Sequence, residues 1–303
     1  MNQGWLRADL HVHSYHSGYA NHFRFLRTRD CYSDPADVYR VAKARGMDLV
    51  TITDHDSING CLEFLDRHPD ASDFFISEEI ECWYPGAPLK MHIGAYGITE
   101  RMHADVQPLR SNVFDVVGYL RQQDVCFSLN HLFFFFRRQV PVEEYLRVAF
   151  SLFPAFEVQN GAMLREHNAL VDELVTARMG QVPIGRFGGS DAHTLRRIGW
   201  TYTDATGRTR DEFLASLGAG RTRVGGRHGT TRDIAAEIYG VIGRYWATLA
   251  GAGRPDLGWG RRAIGILWSL ASLPAEFVPL VVGVVQKSGE AAALASVRRE
   301  IES

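Results

Sequence analysis

A chain of 303 residues, 46% hydrophobic and 22% charged, is long enough for one large α/β domain or for a domain of about 250 residues with an appendage. Its formal net charge of −2 sets up no strong field toward nucleic acid or a membrane surface. Four widely spaced cysteines, Cys31, Cys61, Cys82 and Cys126, form no Cys-x-x-Cys pair, which argues against a disulfide frame or zinc knuckle and for reduced thiols.

The opening Met-Asn-Gln-Gly-Trp lacks the basic-then-apolar pattern of a signal peptide, so a cytoplasmic location is expected. Residues 6–13 read as a short strand. Within it His11 and His13 are two apart, so on extended backbone both imidazoles leave one face, half a site for a divalent metal. Residues 14–32 form a loop of the length that tends to be functional. Ser33-Asp34-Pro35 starts a helix, with a capping residue before a first-turn proline, and Gly46 ends it. The β-branched run 47–53 ends in Asp54-His55-Asp56 and completes a strand-helix-strand unit with parallel strands.

The pattern then repeats. Strands are expected at 74–79 and 91–96, and helical spacing covers 112–122. A strand at 125–129 ends in Asn130-His131, and a short one at 156–158 precedes Gln159-Asn160-Gly161. A helix at 165–178 leads to a strand at 183–187, which runs into Gly188-Gly189-Ser190-Asp191-Ala192-His193. Such alternation argues for a parallel barrel or a doubly wound sheet, where sites gather at the carboxyl ends of strands. Past Arg221 the texture changes to a Gly-rich basic loop, an amphipathic helix at 233–249, a Gly/Pro-rich stretch at 251–260 and an apolar stretch at 263–285 interrupted by Pro274, Glu276 and Pro279. Two parts are therefore expected, 1–220 bearing the site and 221–303 as a helical, apolar extension. The apolar stretch has three readings: a membrane span, an interfacial membrane contact, or packing on the main domain or a second subunit.

The polar candidates at strands or just past their ends are His11, His13, His55, Glu79, His92, His131, Asp191 and His193. Any one of them alone is a hydrogen-bonded side chain near a strand end. Together, six histidines and two carboxylates make a donor set for Zn²⁺, Mn²⁺ or Fe²⁺ rather than Mg²⁺ or Ca²⁺. Eight donors are too many for one tetrahedral ion, and Glu79 could bridge two ions about 3.5–4 Å apart. His68, His103, His167 and His228 fall in helices or loops and read as solvated.

In order along the chain, Asp9-Leu10-His11-Val12-His13-Ser14, Thr53-Asp54-His55-Asp56, Glu79, His92, Asn130-His131 and Gly189-Ser190-Asp191-Ala192-His193 resemble the motifs of the PHP (polymerase and histidinol phosphatase) family, over roughly residues 7 to 205. Ile198-Gly199-Trp200-Thr201-Tyr202-Thr203 resembles the segment after its last motif. The resemblance implies an α/β fold, a distorted seven-stranded β/α barrel, with two or three divalent ions. It implies one ion on His11, His13, Glu79 and Asp191, a second on Glu79, His92 and His131, and a third drawing on His55 and His193. The implied activity is hydrolysis of a phosphomonoester or small phosphodiester by a metal-activated hydroxide, with Asp54, Glu79, Asp191 and His193 as the catalytic set. Asp54 either steadies a metal-bound histidine or caps the following helix. One departure stands out. The family's first motif continues to Ser-Asp-Gly, whose aspartate serves the third ion, whereas this chain has Ser17-Gly18. Either His16 or His22 substitutes, or the third site is weak.

No Gly-x-Ser-x-Gly elbow or P-loop is present. Arg138, Arg165 and Arg197 follow candidate strand ends and are the expected phosphate contacts. Four phenylalanines at 133–136 form either a stacking surface or a buried wall. The near-neutral charge offers no long phosphate track, so a small phosphorylated substrate is favoured over extended nucleic acid. The alternatives are a non-catalytic, metal-stabilised scaffold or regulatory module, and an exonuclease.

Overall fold

The computed structural model describes residues 4–19, 29–179, 184–252, 258–272 and 278–302. His22, one of the two suggested stand-ins for the missing aspartate, and Pro183 lie outside the described residues.

The fold is mixed α/β. Six strands form one sheet in the order β2 (Val50–Ile52), β3 (Phe74–Trp83), β4 (Lys90–Tyr96), β5 (Cys126–Leu129), β6 (Ala155–Asn160) and β7 (Gly185–Gly189). Pairing is parallel for β2–β3, β5–β6 and β6–β7, but β4 runs antiparallel to both neighbours. The uniformly parallel alternation read from the sequence breaks there, because β3 and β4 are joined directly, with no crossover helix between them. A second sheet holds β1 (Trp5–Ala8), β8 (Thr201–Thr206) and β9 (Thr222–Gly226), all antiparallel.

The chain past β1 leaves that second sheet and lies between the two ends of the first. Asp191 N donates to His11 O at 2.7 Å and His13 N to Ala192 O at 3.1 Å, on the β7 side. On the β2 side, Thr53 N donates to Val12 O at 2.8 Å. Gly189 permits this bedding. A Cβ on it would lie 2.3 Å from the His11 Cβ and 2.6 Å from its backbone nitrogen, closer than real contacts allow.

Helices cover the outer faces. In α1 (Pro35–Ala44) the Asp34 side chain caps Ala36 N and proline opens the first turn, as the sequence suggests. Val38 and Ala42 of α1 and Phe64 of α2 (Asn59–Arg67) pack with Ile52 and Phe74. On the other side α3 (Glu100–Val106), α4 (Val113–Gln122), α5 (Val142–Leu152) and α6 (Arg165–Met179) bury Val116, Leu120, Tyr145, Val171 and others against β3–β6. Each fully buried apolar side chain of this size contributes about 1.5–3 kcal/mol.

After α7 (Arg210–Gly218), β9 pairs with β8 although it lies beyond residue 220, so the small sheet runs across that division. Then come α8 (Thr231–Leu249), α9 (Trp259–Ser272) and α10 (Val278–Glu302). The expected apolar stretch 263–285 is thus divided between two helices. Leu294 and Val297 of α10 join the main core, and Lys287 donates to the Ala162 carbonyl at 2.6 Å and to Glu290 at 2.7 Å. By contrast, Trp259, Ile264, Leu267 and Leu270 of α9 are exposed. No helix of the described residues is long and apolar enough to cross a membrane.

Candidate metal centre

Glu79, in the middle of β3, is fully buried. Its Oε1 lies 3.1 Å from His11 Nε2, 3.1 Å from His131 Nε2 and 3.2 Å from His92 Nδ1. Its Oε2 lies 3.0 Å from His55 Nδ1 and 3.7 Å from His13 Nε2. Asp191 Oδ1 faces the same group, 3.4 Å from His13 Nε2, 3.6 Å from His11 Nε2 and 3.7 Å from His193 Nδ1. All eight donors singled out in the sequence therefore meet. They fall into overlapping triads: His11, His13 and Glu79; His11, His131 and Asp191; His55, Glu79 and His92; His13, His55 and His193.

The cluster is short of hydrogen-bond partners. His11 Nε2, His13 Nε2, both nitrogens of His92 and Glu79 Oε2 are buried with no hydrogen-bond partner among the described residues. An unsatisfied buried polar atom costs about 1–3 kcal/mol, and five at one point call for cations between them. Burial drives His13, beside His193 and His55, down to about 3, which leaves it in the neutral form that binds metal. Burial would neutralise Glu79, but the imidazoles of His11, His92 and His55 hold it well below the usual carboxylate range. The residues present fit divalent ions.

A supporting layer fixes these side chains, and the sequence reading missed much of it. Glu157 of β6 accepts from His11 Nδ1 at 2.9 Å, from His131 N at 3.0 Å and from Asn160 Nδ2 at 2.8 Å. Its signal was a lone acid in the apolar run Ala-Phe-Glu-Val. Asn130 Nδ2 donates to Glu79 Oε1 at 3.0 Å. Asp54 does not touch a histidine and does not cap α2, whose N-cap is Ile58. It accepts from Ser14 N and Oγ, each at 2.6 Å, and from Ser17 Oγ at 2.9 Å; Ser17 Oγ in turn lies 2.8 Å from His13 Nδ1. Asp54 thus orients His13 through a serine. His131 and Asp191 adopt left-handed backbone, φ 28° and 51°, which turns each side chain inward just past its strand.

Asp30 was also missed. Its Oδ2 sits 2.9 Å from His193 Nε2 and 3.6 Å from His55 Nε2. His16 turns elsewhere, its Nε2 2.7 Å from Glu63 Oε2.

Of the three candidate phosphate arginines, Arg197 is buried, donates through Nη2 to the Gly161 carbonyl in the turn after β6, and has its Nε 3.6 Å from Glu237 Oε1. Arg138 is exposed, with Nη1 3.4 Å from Ser296 Oγ of α10, and Arg165 is exposed at the start of α6. The four phenylalanines divide: Phe133 and Phe136 are core, while half-buried Phe135 packs on His92 at 4.6 Å between ring centroids and Phe134 on His131 at 5.3 Å. Three histidines read as solvated are not. His167 is fully buried, accepting from Phe133 N at 3.3 Å, because its position lies on the inner face of α6. His103 pairs with the buried Glu78 at 2.8 Å, and His228 Nδ1 meets Asn168 at 3.0 Å. Only His68 of the four is exposed.

Comparisons with known proteins agree with this layout. The family model described as PHP-associated matches residues 180–222. An uncharacterized protein of Methanocaldococcus jannaschii is 38% identical over 58 residues, 19% of this chain and 33% of that protein, so the chain spans about a third of that relative's length. A two-domain protein of Bacteroides vulgatus containing a predicted PHP-like metal-dependent phosphoesterase shares the fold with a TM-score of 0.51 at 17% identity, over 78% of this chain and 70% of that one. PsfC from Pseudomonas syringae matches with a TM-score of 0.51 at 17% identity, over 81% and 99%. With its motifs in order, its eight donors converged and a PHP-associated match over the segment that holds Asp191 and His193, this chain is similar to the PHP domain family in fold and in the placement of its donors.

Proposed function

We propose that this protein is a metal-dependent phosphoesterase acting on a small phosphorylated substrate, with His11, His13, His55, Glu79, His92, His131, Asp191 and His193 as ligands of two or three divalent ions of the Zn, Mn or Fe type. The observation that carries the reading is Glu79, a fully buried carboxylate ringed by five imidazoles, four of them within 3.2 Å. Such a charge is tolerable only if cations compensate it. We further read residues 9–13, bonded to Asp191 and Ala192 just past β7 on one side and to Thr53 just past β2 on the other, as the seventh member of a distorted β/α barrel around this centre. Residues 1–220 carry the site in this proposal, and 221–303 buttress it through α10.

Bound ions would supply a water of lowered pKa and neutralise charge on the phosphoryl oxygens. The chain's own residues do the rest. Glu79 and Asp191 hold negative charge between the imidazoles, Glu157 fixes the tautomer and direction of His11, and the Asp54–Ser17 pair fixes those of His13. His193 and His55 face the open side, where a substrate oxygen can arrive and where a proton can be handed to a leaving group. Phe134 and Phe135 form an apolar shelf beside His131 and His92 that suits a leaving group with an unsaturated or apolar part. With 33 basic against 35 acidic residues, an extended nucleic acid finds no track, and a compact phosphoester fits better. The exposed apolar residues of α9, within 263–285, make that stretch a contact surface for a membrane or a second subunit in the same proposal.

The test is elemental analysis of protein expressed with Zn²⁺, Mn²⁺ or Fe²⁺, followed by turnover of a panel of phosphomonoesters and small diesters. At least two ions per chain and metal-dependent release of phosphate or alcohol are expected. Less than one equivalent, or metal-loaded protein inert on the whole panel, would reject the proposal.

A further inference from the structure

We infer that Asp30 is the carboxylate ligand of the third ion in this chain, standing beside Gly18, which offers no side chain. The inference rests on the metal-centre reading above. Gly18, at φ 85°, turns the chain out of the site directly after Ser17. Tyr19 and Arg29 then face each other in an antiparallel bridge, and Asp30 N donates to the Gly18 carbonyl at 3.3 Å. Asp30 is thus held directly beside Gly18. A carboxylate is restored to within one backbone hydrogen bond of the position that lacks it.

The side chain points where a ligand must. Asp30 Oδ2 lies 2.9 Å from His193 Nε2 and 3.6 Å from His55 Nε2, so one oxygen and two imidazole nitrogens converge from three different segments. Two histidines and one carboxylate are the donor types that suit Mn²⁺ or Fe²⁺, and all three side chains are partly exposed to solvent. Without Asp30 the third site would draw on imidazoles alone, a poor match for Mn²⁺ or Fe²⁺. His16, the described alternative, is committed: its Nε2 meets Glu63 Oε2 at 2.7 Å, and its ring lies against Tyr15 at 4.3 Å.

The experiment is titration of chelator-stripped full-length protein with Mn²⁺ alone, read by calorimetry and by elemental analysis after dialysis. Wild type, Asp30→Asn, His193→Ala and His16→Ala are compared, with thermal midpoints checking that each is folded. Wild type is expected to take three equivalents. Asp30→Asn should lose the weakest equivalent or loosen it at least about tenfold, the lower end of what removing even an outer partner costs a metal site. His193→Ala should lose that same equivalent, and His16→Ala none. Full retention in folded Asp30→Asn, or loss from His16→Ala instead, overturns the inference while the two tighter equivalents leave the proposed function standing. Loss of different equivalents in Asp30→Asn and His193→Ala also overturns it. Wild type that binds no Mn²⁺ defeats the inference together with the proposed function.

Discussion

The two sides of the candidate centre are built differently. On the inner side, His11, His13, Glu79, His92 and His131 have side chains at most 6% exposed and are braced by Glu157, Asn130 and Ser17. On the outer side, His55, His193 and Asp30 are 27%, 25% and 31% exposed. Buried, braced side chains have little freedom, so the inner side suits ions that stay; half-exposed ones have give, so the outer side suits an ion or substrate that exchanges. The contrast assigns permanence to the buried side and traffic to the exposed one.

The largest effect should come from the residue that joins both sides. Glu79→Gln keeps the volume but removes the charge that compensates the cations, and hydrolysis should fall about 10³-fold or more, together with metal content. Near-wild-type turnover would mean that the chemistry happens elsewhere. Glu157→Gln attacks only the inner bracing; metal affinity should drop about 10- to 100-fold, measured by competition with a chelating dye. If the outer ion alone weakens, the division into braced and open sides is wrong. Arg197→Ala should cost about 1–3 kcal/mol in denaturant unfolding, because the Gly161 carbonyl and the nearby Glu237 carboxylate lose their cation, with KM for any phosphoester unchanged. A raised KM at unchanged stability would return Arg197 to substrate binding.

The smallest effect lies off the centre. The hydrogen bond to Glu78 outweighs partial burial and raises the pKa of His103. A raised folded value means that the pair stabilises fully below the unfolded imidazole's pKa of about 6.5 and ceases to as pH rises through the folded value. His103→Gln should flatten the stability profile over that window and leave metal content alone; a change in metal content would tie this pair to the inner side.

Six of the eight donors could be read from the chain because they stand just past a β-branched or apolar run, where a polar residue has few structural duties; Glu79 and His92 instead lie inside β3 and β4. Their supports were harder to read. Asn130 stands next to a recognised donor, yet its bond to Glu79 depends on the antiparallel register of β4 and β5. Asp30 is twelve positions past Gly18 with no periodicity in the sequence between, and the Asp30–Gly18 hydrogen bond and the Tyr19–Arg29 bridge bring it near. His167 misled because α6 is nearly as polar on its inner face as on its outer one, so helical position did not reveal burial. The direct β3–β4 reversal went unread since Tyr84-Pro85-Gly86 lies between two apolar runs without fixing their relative direction. β8 and β9 escaped as well. Their threonines and glycines form no apolar run, although β8 is the central strand of the small sheet and buries Thr201, Thr203 and Ala205.

The left-handed backbone at His131 and Asp191 carries a consequence for how this protein changes over generations. Each such residue costs the fold of order 1 kcal/mol that Gly or Asn at the same position would not. A lineage that no longer needed the chemistry would therefore gain stability by losing these two side chains first. Keeping histidine and aspartate there is a standing cost of function, one that selection must renew against the drift of thermodynamics.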